Sequence, residues 1–198
     1  MPDAETLKFY AENAAEYVQH GVGQRFPELE AFLSRLPVGG DVLELGTGSG
    51  RDAAVMRAAG FAVTPSDASP ELAAQAEALL GRPVRIMAFD ELDEVAAYDG
   101  VWASACLLHA PRDELTADLT RIFTALRPGG WLVASFKAGG GEGRDQLGRY
   151  YNYPDNAELR AHFDAAADWA NLTLSERDGG GYDNRPTRWL WVEAQKTG

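Results

Sequence analysis

Three carboxylates and a run of alternating glycines are the residues best placed to do chemistry. Glu44-x-Gly46-x-Gly48-x-Gly50 puts an acid inside the apolar stretch Val42-Leu43-Glu44-Leu45 and three glycines directly after it. Such glycines permit positive φ and let a ligand approach the backbone. Asp67 closes a second apolar run, and Phe89-Asp90 closes a third. A carboxylate after the second strand of an α/β sheet can accept both hydroxyls of a ribose. An aromatic face beside a carboxylate can hold an adenine and its exocyclic amine. An acid inside the glycine frame suits a cationic group better than a phosphate.

Phosphate-binding frames fit poorly. The dinucleotide fingerprint Gly-x-Gly-x-x-Gly fails from Gly46, because its third glycine falls on Arg51. From Gly48 it reads Gly48-x-Gly50-x-x-Ala53, but begins two residues late. No Gly-Lys-Ser/Thr follows, so a Walker loop is absent. A ligand with a ribose, an adenine and a cationic amino-acid tail suits all three acids, and S-adenosylmethionine has those parts. Two other classes stay open: a nicotinamide-dependent oxidoreductase on a similar sheet, and a cofactor-binding regulatory protein without catalysis.

Further along, His109 follows the fourth apolar run and is the candidate general base. Lys137, Arg144 and Arg149 form a basic island in an acidic chain, suited to an anionic substrate group. Tyr10 and Tyr17 share a helical face and could cover a ligand, a ring near a sulfonium stabilising its charge. Tyr150, Tyr151 and Tyr153 belong to a glycine-rich loop. Trp189 and Trp191 alternate along a strand and read as core. His20 and His162 read as surface residues, and three scattered histidines make no metal site.

The 198 residues suit one domain, 1–198, with a sizeable core. A net charge of −12 repels nucleic-acid phosphates and anionic membrane surfaces. The expected partner is a small molecule, with no nucleic acid and no membrane, and the chain a monomer or homodimer. Cys106 is the one cysteine, so no intrachain disulfide forms. The polar, acidic N-terminus is unlike a signal peptide, and no apolar run approaches the roughly 20 residues of a membrane helix. A cytoplasmic location is the expectation.

These residues need elements to position them. Helical periodicity predicts helices over 3–19, ended by Gly21 and Gly23, and around Phe26, Leu29, Phe32, Leu33 and Leu36. A strand at 41–46 then enters the glycine turn. The helix after it turns Val55, Ala58 and Ala59 inward. A second strand, 61–65, leads to Ser69 as N-cap and Pro70 at the first helical position. That helix carries Leu72, Ala76, Leu79 and Leu80, and Gly81 ends it. Strands follow at 84–89 and 100–105, with a loop at 107–111 and a helix at 112–126. Arg127-Pro128-Gly129-Gly130 reads as a turn before a strand at 131–136. Residues 138–154 read as a long functional loop. Asp155 and Glu158 form a capping box for a helix with Leu159, Phe163, Ala166 and Ala167 inward. Strands at 172–177 and 187–194 end the chain. The alternation predicts a doubly wound, mostly parallel sheet with one antiparallel strand at its end.

With these motifs in place, the sequence resembles a class I S-adenosylmethionine-dependent methyltransferase over nearly its whole length. The resemblance is carried by Val42–Gly50, Pro65-Ser66-Asp67-Ala68-Ser69-Pro70, Asp90, Tyr98-Asp99-Gly100-Val101-Trp102, Leu107-Leu108-His109 and Leu126-Arg127-Pro128-Gly129-Gly130. It implies a Rossmann-like seven-stranded sheet of order 3-2-1-4-5-7-6 with strand 7 antiparallel and helices on both faces. Glu44 and the glycines would line the methionine end, Asp67 would hold the ribose, and Phe89 and Asp90 the adenine. Tyr17, Thr47, Ala68 and Ser104 complete the expected cofactor contacts. Residues 1–36 would cover the cofactor site and 138–154 would face the substrate, with Tyr10, Lys137, Arg144 and Tyr150 as substrate contacts. Gly50-Arg51-Asp52 and Ser135-Phe136-Lys137 are similar to a small-molecule branch that includes tellurite-resistance-type and generic bacterial enzymes. The implied reaction is methyl transfer to a small acceptor by direct displacement, leaving S-adenosylhomocysteine.

Overall fold

The computed structural model describes residues 2–20, 27–182 and 185–198. Gly21, Gly23 and Phe26, expected at helix ends, lie outside the described residues.

The chain begins with α1 (Ala4–Tyr17), capped by the Asp3 carboxylate on the Thr6 N–H, and α2 (Pro27–Ser34). Next come β1 (Asp41–Leu45), α3 (Arg51–Ala58), β2 (Ala62–Asp67) and α4 (Pro70–Leu80). Ser69 caps α4 as expected, and Gly81 ends it at φ +64°. The second half runs β3 (Arg85–Ile86), β4 (Tyr98–Ala103), α5 (Leu115–Ala125) and β5 (Leu126–Lys137). A small hairpin, β6 (Gly143–Arg144) and β7 (Tyr150–Tyr151), precedes α6 (Asn156–Ala166), β8 (Trp169–Gly180) and β9 (Pro186–Lys196).

The main sheet has the order β3-β2-β1-β4-β5-β9-β8. The first five strands are parallel, and β9 runs antiparallel to β5 and β8. This is the expected seven-stranded order, with β8 and β9 as the sixth and seventh strands. The winding reverses between β1 and β4, which opens a crevice at their carboxyl ends.

Alternation along β1 and β4 divides the core. Leu43, Leu45, Val101 and Ala103 face α5 and α6, where Leu119, Ile122, Leu159 and Phe163 complete one cluster. Val42 and Trp102 face the other way, against Phe32, Met56 and Ala76. Glu44 shares that second face, opposite Trp102 in register.

Several local expectations change. β3 shrinks from 84–89 to two residues because it is an edge strand paired only through Ser66 and Asp67. Phe89–Glu91 instead forms a 3-10 turn, closed by the Ala88 N–H on the Glu91 carboxylate at 2.7 Å. The loop 107–111 contains another 3-10 turn, Leu107–His109. Leu126–Gly130 is the start of β5 with a register shift against β4, not a separate turn. The loop 138–154 contains the β6–β7 hairpin. Val55, Ala58, Ala59 and Leu79, expected inward, are exposed. Starting α3 at Arg51 turns Ala53 and Met56 inward, and α4 presents Leu72, Ala73, Ala76 and Leu80. His162 is half-buried and bonds Thr116 through Nδ1 at 2.8 Å.

Candidate active site

Two adjoining cavities occupy the crevice. The larger, about 540 Å³, opens above β1, β4 and β5. The smaller, about 90 Å³, lies over the ends of β2 and β3. Tyr10, Tyr17, Gly46, Gly48 and His109 line both.

The glycine turn forms the wall between them. Gly46 has φ +63°, and a Cβ there would meet the Cys106 Cβ at 2.4 Å. Thus the β1 turn and the segment after β4 pack backbone to side chain, with no room for any other residue. Gly50 caps α3 at φ +77°. Its Cβ would press on Ala76 at 3.1 Å, so this glycine serves helix packing and lies outside both cavity walls, contrary to its expected cofactor contact.

Glu44 is buried, and Thr47 Oγ1 donates to its carboxylate. Burial, reinforced by the nearby Asp52 carboxylate, holds its pKa well above the usual carboxylate range. Asp52, missed by sequence reasoning, sits in the first turn of α3 and accepts from Trp102 Nε1 at 2.8 Å. Burial raises its pKa too. Two carboxyls therefore meet at the β1–α3 end of the larger cavity, poised for a cationic group.

Asp67 lines the smaller cavity with Ala68, Phe89 and Asp90. Its carboxylate accepts from the N–H groups of Gly48 and Ser69, each at 2.9 Å. Burial outweighs these bonds and raises its pKa. Asp118, on α5, lines the same cavity; burial and the adjacent Asp90 and Glu114 push its pKa up to about 7. The helical pattern marked its neighbours Leu115, Leu119 and Ile122 but carried no signal for Asp118 itself.

Ser104, Thr47, His109 and Lys137 line the larger cavity. His109 Nδ1 lies 2.6 Å from the Tyr150 carbonyl oxygen, which can only accept, so Nδ1 carries the proton. Nε2 is then an acceptor and takes the Tyr10 hydroxyl at 2.9 Å. Burial, aided by Arg149 and Lys137 against the Tyr150 hydrogen bond, lowers the His109 pKa to about 4. The imidazole is neutral near pH 7, with its lone pair already engaged.

The basic island separates. Arg144 is half-exposed and forms a two-pronged pair with Asp3, at 2.9 and 2.7 Å. The Tyr150 hydroxyl donates to Glu142 at 2.5 Å and accepts from the Arg112 N–H. Neither residue lines a cavity, so both depart from their expected substrate contacts. Arg149, from the same segment, lines the larger cavity instead. It is 1% exposed and gives Nε and Nη2 to Asp145 Oδ2 at 2.9 and 2.7 Å. Its guanidinium lies 5.0–5.8 Å from the rings of Phe9, Tyr10, Tyr151 and Tyr182. Trp189 and Trp191, expected as core, also line the larger cavity.

Helix α1 is stitched across the site. Besides the Asp3–Arg144 pair, Thr6 Oγ1 accepts from the Tyr150 N–H at 2.8 Å. Arg51 donates to the carbonyls of Val18 and His20 at the other end of the helix. Among the described residues, no group of three or more His, Cys, Asp or Glu side chains could hold a metal ion. No helix among them is long and apolar enough to cross a membrane.

The sequence profile of the methyltransferase domain matches residues 10–173. No curated protein sequence matches the chain. Among solved structures, the Burkholderia thailandensis 1,6-didemethyltoxoflavin-N1-methyltransferase, with its namesake compound and S-adenosylhomocysteine bound, superposes with a TM-score of 0.67 at 26% identity. That match covers 100% of this chain and 93% of the other. A Methanosarcina mazei protein described as an S-adenosylmethionine-dependent methyltransferase gives 0.73 at 17% identity, over 88% and 99%. The [4+2]-cyclase SpnF gives 0.71 at 16% identity, over 99% and 97%, and shares the fold alone.

Proposed function

Because this chain belongs to the methyltransferase-domain family, we propose that it binds S-adenosylmethionine across both cavities and serves a small-molecule acceptor in the larger one. One observation carries the reading. The strand ends deliver Glu44, Asp67 and Phe89-Asp90 onto adjoining cavity walls, in the order that a cationic tail, a ribose and an adenine would need. The relative from Burkholderia thailandensis, which binds S-adenosylhomocysteine beside a small acceptor, supports it.

The donor set fits the cofactor. Glu44 and Asp52 offer carboxyls to an ammonium, and the Tyr10 and Tyr17 ring faces suit a sulfonium. Asp67 has oxygens next to the smaller cavity, where it could accept from a ribose while keeping the Gly48 turn in place. Phe89 supplies a flat apolar face there. When bound, the cofactor supplies an electrophilic methyl group on a positively charged sulfur. The protein's part is to align the acceptor with that methyl and exclude water. Alignment of this kind contributes roughly 7–11 kcal/mol in well-oriented systems. Ser104 and the following turn to His109 line the larger cavity, where they would flank the acceptor. His109 acts there as a positioning group that orients Tyr10. We assign residues 1–198 to one domain, residues 1–36 to covering the cofactor, and 138–154 to the acceptor side through Arg149 and Tyr151.

Calorimetry with S-adenosylhomocysteine tests the reading. Wild type binds with a dissociation constant in the micromolar range or below, and Asp67→Ala weakens it at least tenfold. No binding by the wild-type protein overturns the reading.

A further inference from the structure

Resting on the methyl-transfer reading above, we propose that the acceptor is a flat aromatic or heteroaromatic anion, methylated on its deprotonated atom without a protein base. The larger cavity carries opposite charges on different walls. Glu44 and Asp52 occupy the β1–α3 end, whereas Lys137 and Arg149 occupy the end formed by β5 and the β6–β7 hairpin. The two cationic side chains are 9% and 1% exposed, and Arg149 is paired with Asp145, so it is the Lys137 charge that acts on the cavity in a poorly solvated space. The cavity's other carboxylates are engaged with arginines. Glu28 lies 2.6 Å from Arg177, and Asp178 lies 3.7 Å from Arg188.

The shape at the cationic end is set by rings. Lys137 Nζ stands 4.3 Å from the Tyr151 ring centroid and 6.0 Å from that of Trp189. Tyr151 is itself stacked on Tyr153, with centroids 5.1 Å apart and planes within 18°. Tyr182 is stacked on Tyr17 at 5.1 Å. With Trp189 and Trp191 these rings give the larger cavity aromatic walls suited to a flat apolar guest, and the lysine places positive charge beside them.

The protons lead to the same class. Tyr10 and Tyr151 have pKa values raised by burial and stay protonated. The His109 lone pair accepts from Tyr10, and the imidazole holds no extra proton near pH 7. Glu44 and Asp52 lie at the other end of the cavity, and at the cationic end the His109 lone pair is already engaged by Tyr10. A neutral O–H or N–H acceptor held there therefore meets no free base among the described residues. An anion brings its electron pair ready. Its lone pair forms the new bond to the methyl carbon while the carbon–sulfur bond breaks and that pair stays on sulfur. The acceptor's negative charge and the sulfonium's positive charge vanish together, which a poorly solvated site favours. No proton moves.

A four-armed acceptor screen at pH 7.5 tests this, reading release of S-adenosylhomocysteine. The arms are flat anions (nitrophenolates, thiophenolates, conjugate bases of acidic pyrimidines), their neutral O-, S- or N-methylated counterparts, aliphatic carboxylates and thiols, and amines. Turnover is expected in the first arm, and kcat/KM should rise with pH through each acceptor's own pKa. For an acceptor so found, Lys137→Met raises KM at least tenfold with kcat within about threefold, and Lys137→Arg largely restores KM. S-adenosylhomocysteine affinity is unchanged in both variants, which also reports that they fold. Turnover confined to the other arms overturns the proposal. So does no turnover in the first arm while S-adenosylhomocysteine still binds, or an unchanged KM in Lys137→Met. Failure of the wild type to bind S-adenosylhomocysteine instead removes the reading beneath it.

Discussion

Asp67, the last residue of β2, accepts the backbone N–H of Gly48 at 2.9 Å, so the acid that closes one strand holds the glycine turn that follows its neighbour. The Ser69 N–H occupies its other oxygen, also at 2.9 Å. Removing the carboxylate leaves two N–H groups to find water or stay unsatisfied, at about 1–3 kcal/mol each if they stay buried. Asp67→Ala should therefore lower the melting temperature as well as weaken S-adenosylhomocysteine binding at least tenfold. Asp67→Asn, which keeps one acceptor oxygen, should fall between. Equal affinity in wild type and Asp67→Ala would contradict the placement of the ribose.

Gly46 and Gly81 form a matched test of space against conformation. Both have positive φ, +63° and +64°, so alanine is strained at either by about 1–2 kcal/mol. Gly81 has nothing within 4 Å of the added carbon, while Gly46 has the Cys106 Cβ at 2.4 Å. Denaturant unfolding should show about 1 kcal/mol lost in Gly81→Ala and about 3 kcal/mol or more in Gly46→Ala. Cys106→Gly in the Gly46→Ala background should recover part of the loss. Additive single effects would show that the two sites do not collide.

His109 and Asp118 should tilt the stability profile in opposite senses. The His109 pKa falls from 6.5 to about 4 on folding, so the folded state binds fewer protons between these values. Its contribution is complete above pH 6.5 and is lost as pH falls toward 4, by about 2–3 kcal/mol. Asp118 rises from 3.8 to about 7, so stability is lost as pH climbs through that window and stays low above it. Asp118→Asn should be more stable than wild type by about 2 kcal/mol at pH 8 and nearly equal at pH 4.5. His109→Gln should flatten the acid limb between pH 6.5 and 4. Thermal melts across pH 4–8.5 check both.

Arg149 and Asp145 form a nearly buried pair at 2.7 Å. Breaking such a pair from one side costs about 3–5 kcal/mol, because the remaining charge is left without its partner. Arg149→Met should lose that much in denaturant unfolding. Arg149→Lys should recover little, since one ammonium cannot replace a planar fork that donates twice to Asp145 and lies among four rings. Arg149→Met combined with Asp145→Asn should regain much of the loss. The amide oxygen of that second substitution keeps an acceptor for the Leu147 and Arg149 N–H groups, now bonded by Asp145 at 2.9 and 3.0 Å.

What the sequence determined by itself is local or periodic. Ser69-Pro70 and Asp155-x-x-Glu158 start helices because their side chains reach N–H groups three residues away. The β1 glycine turn and the acids after β2 and β3 were readable for the same reason: strand, turn and helix start are consecutive in the chain. The sheet order came with the family resemblance that these motifs carry. Only the tertiary structure decided which member of the basic island enters the cavity. Arg144 is drawn outward by Asp3, 141 positions away, and the Tyr10–His109 contact spans 99. It also decided that His109 is neutral and engaged, that Asp52 and Asp118 reach the cavities, and that Trp189 and Trp191 form walls as well as core. Spacing along a chain encodes the period of a helix or strand. It does not encode which side chain a distant segment will bury, and burial sets the charge state of these groups.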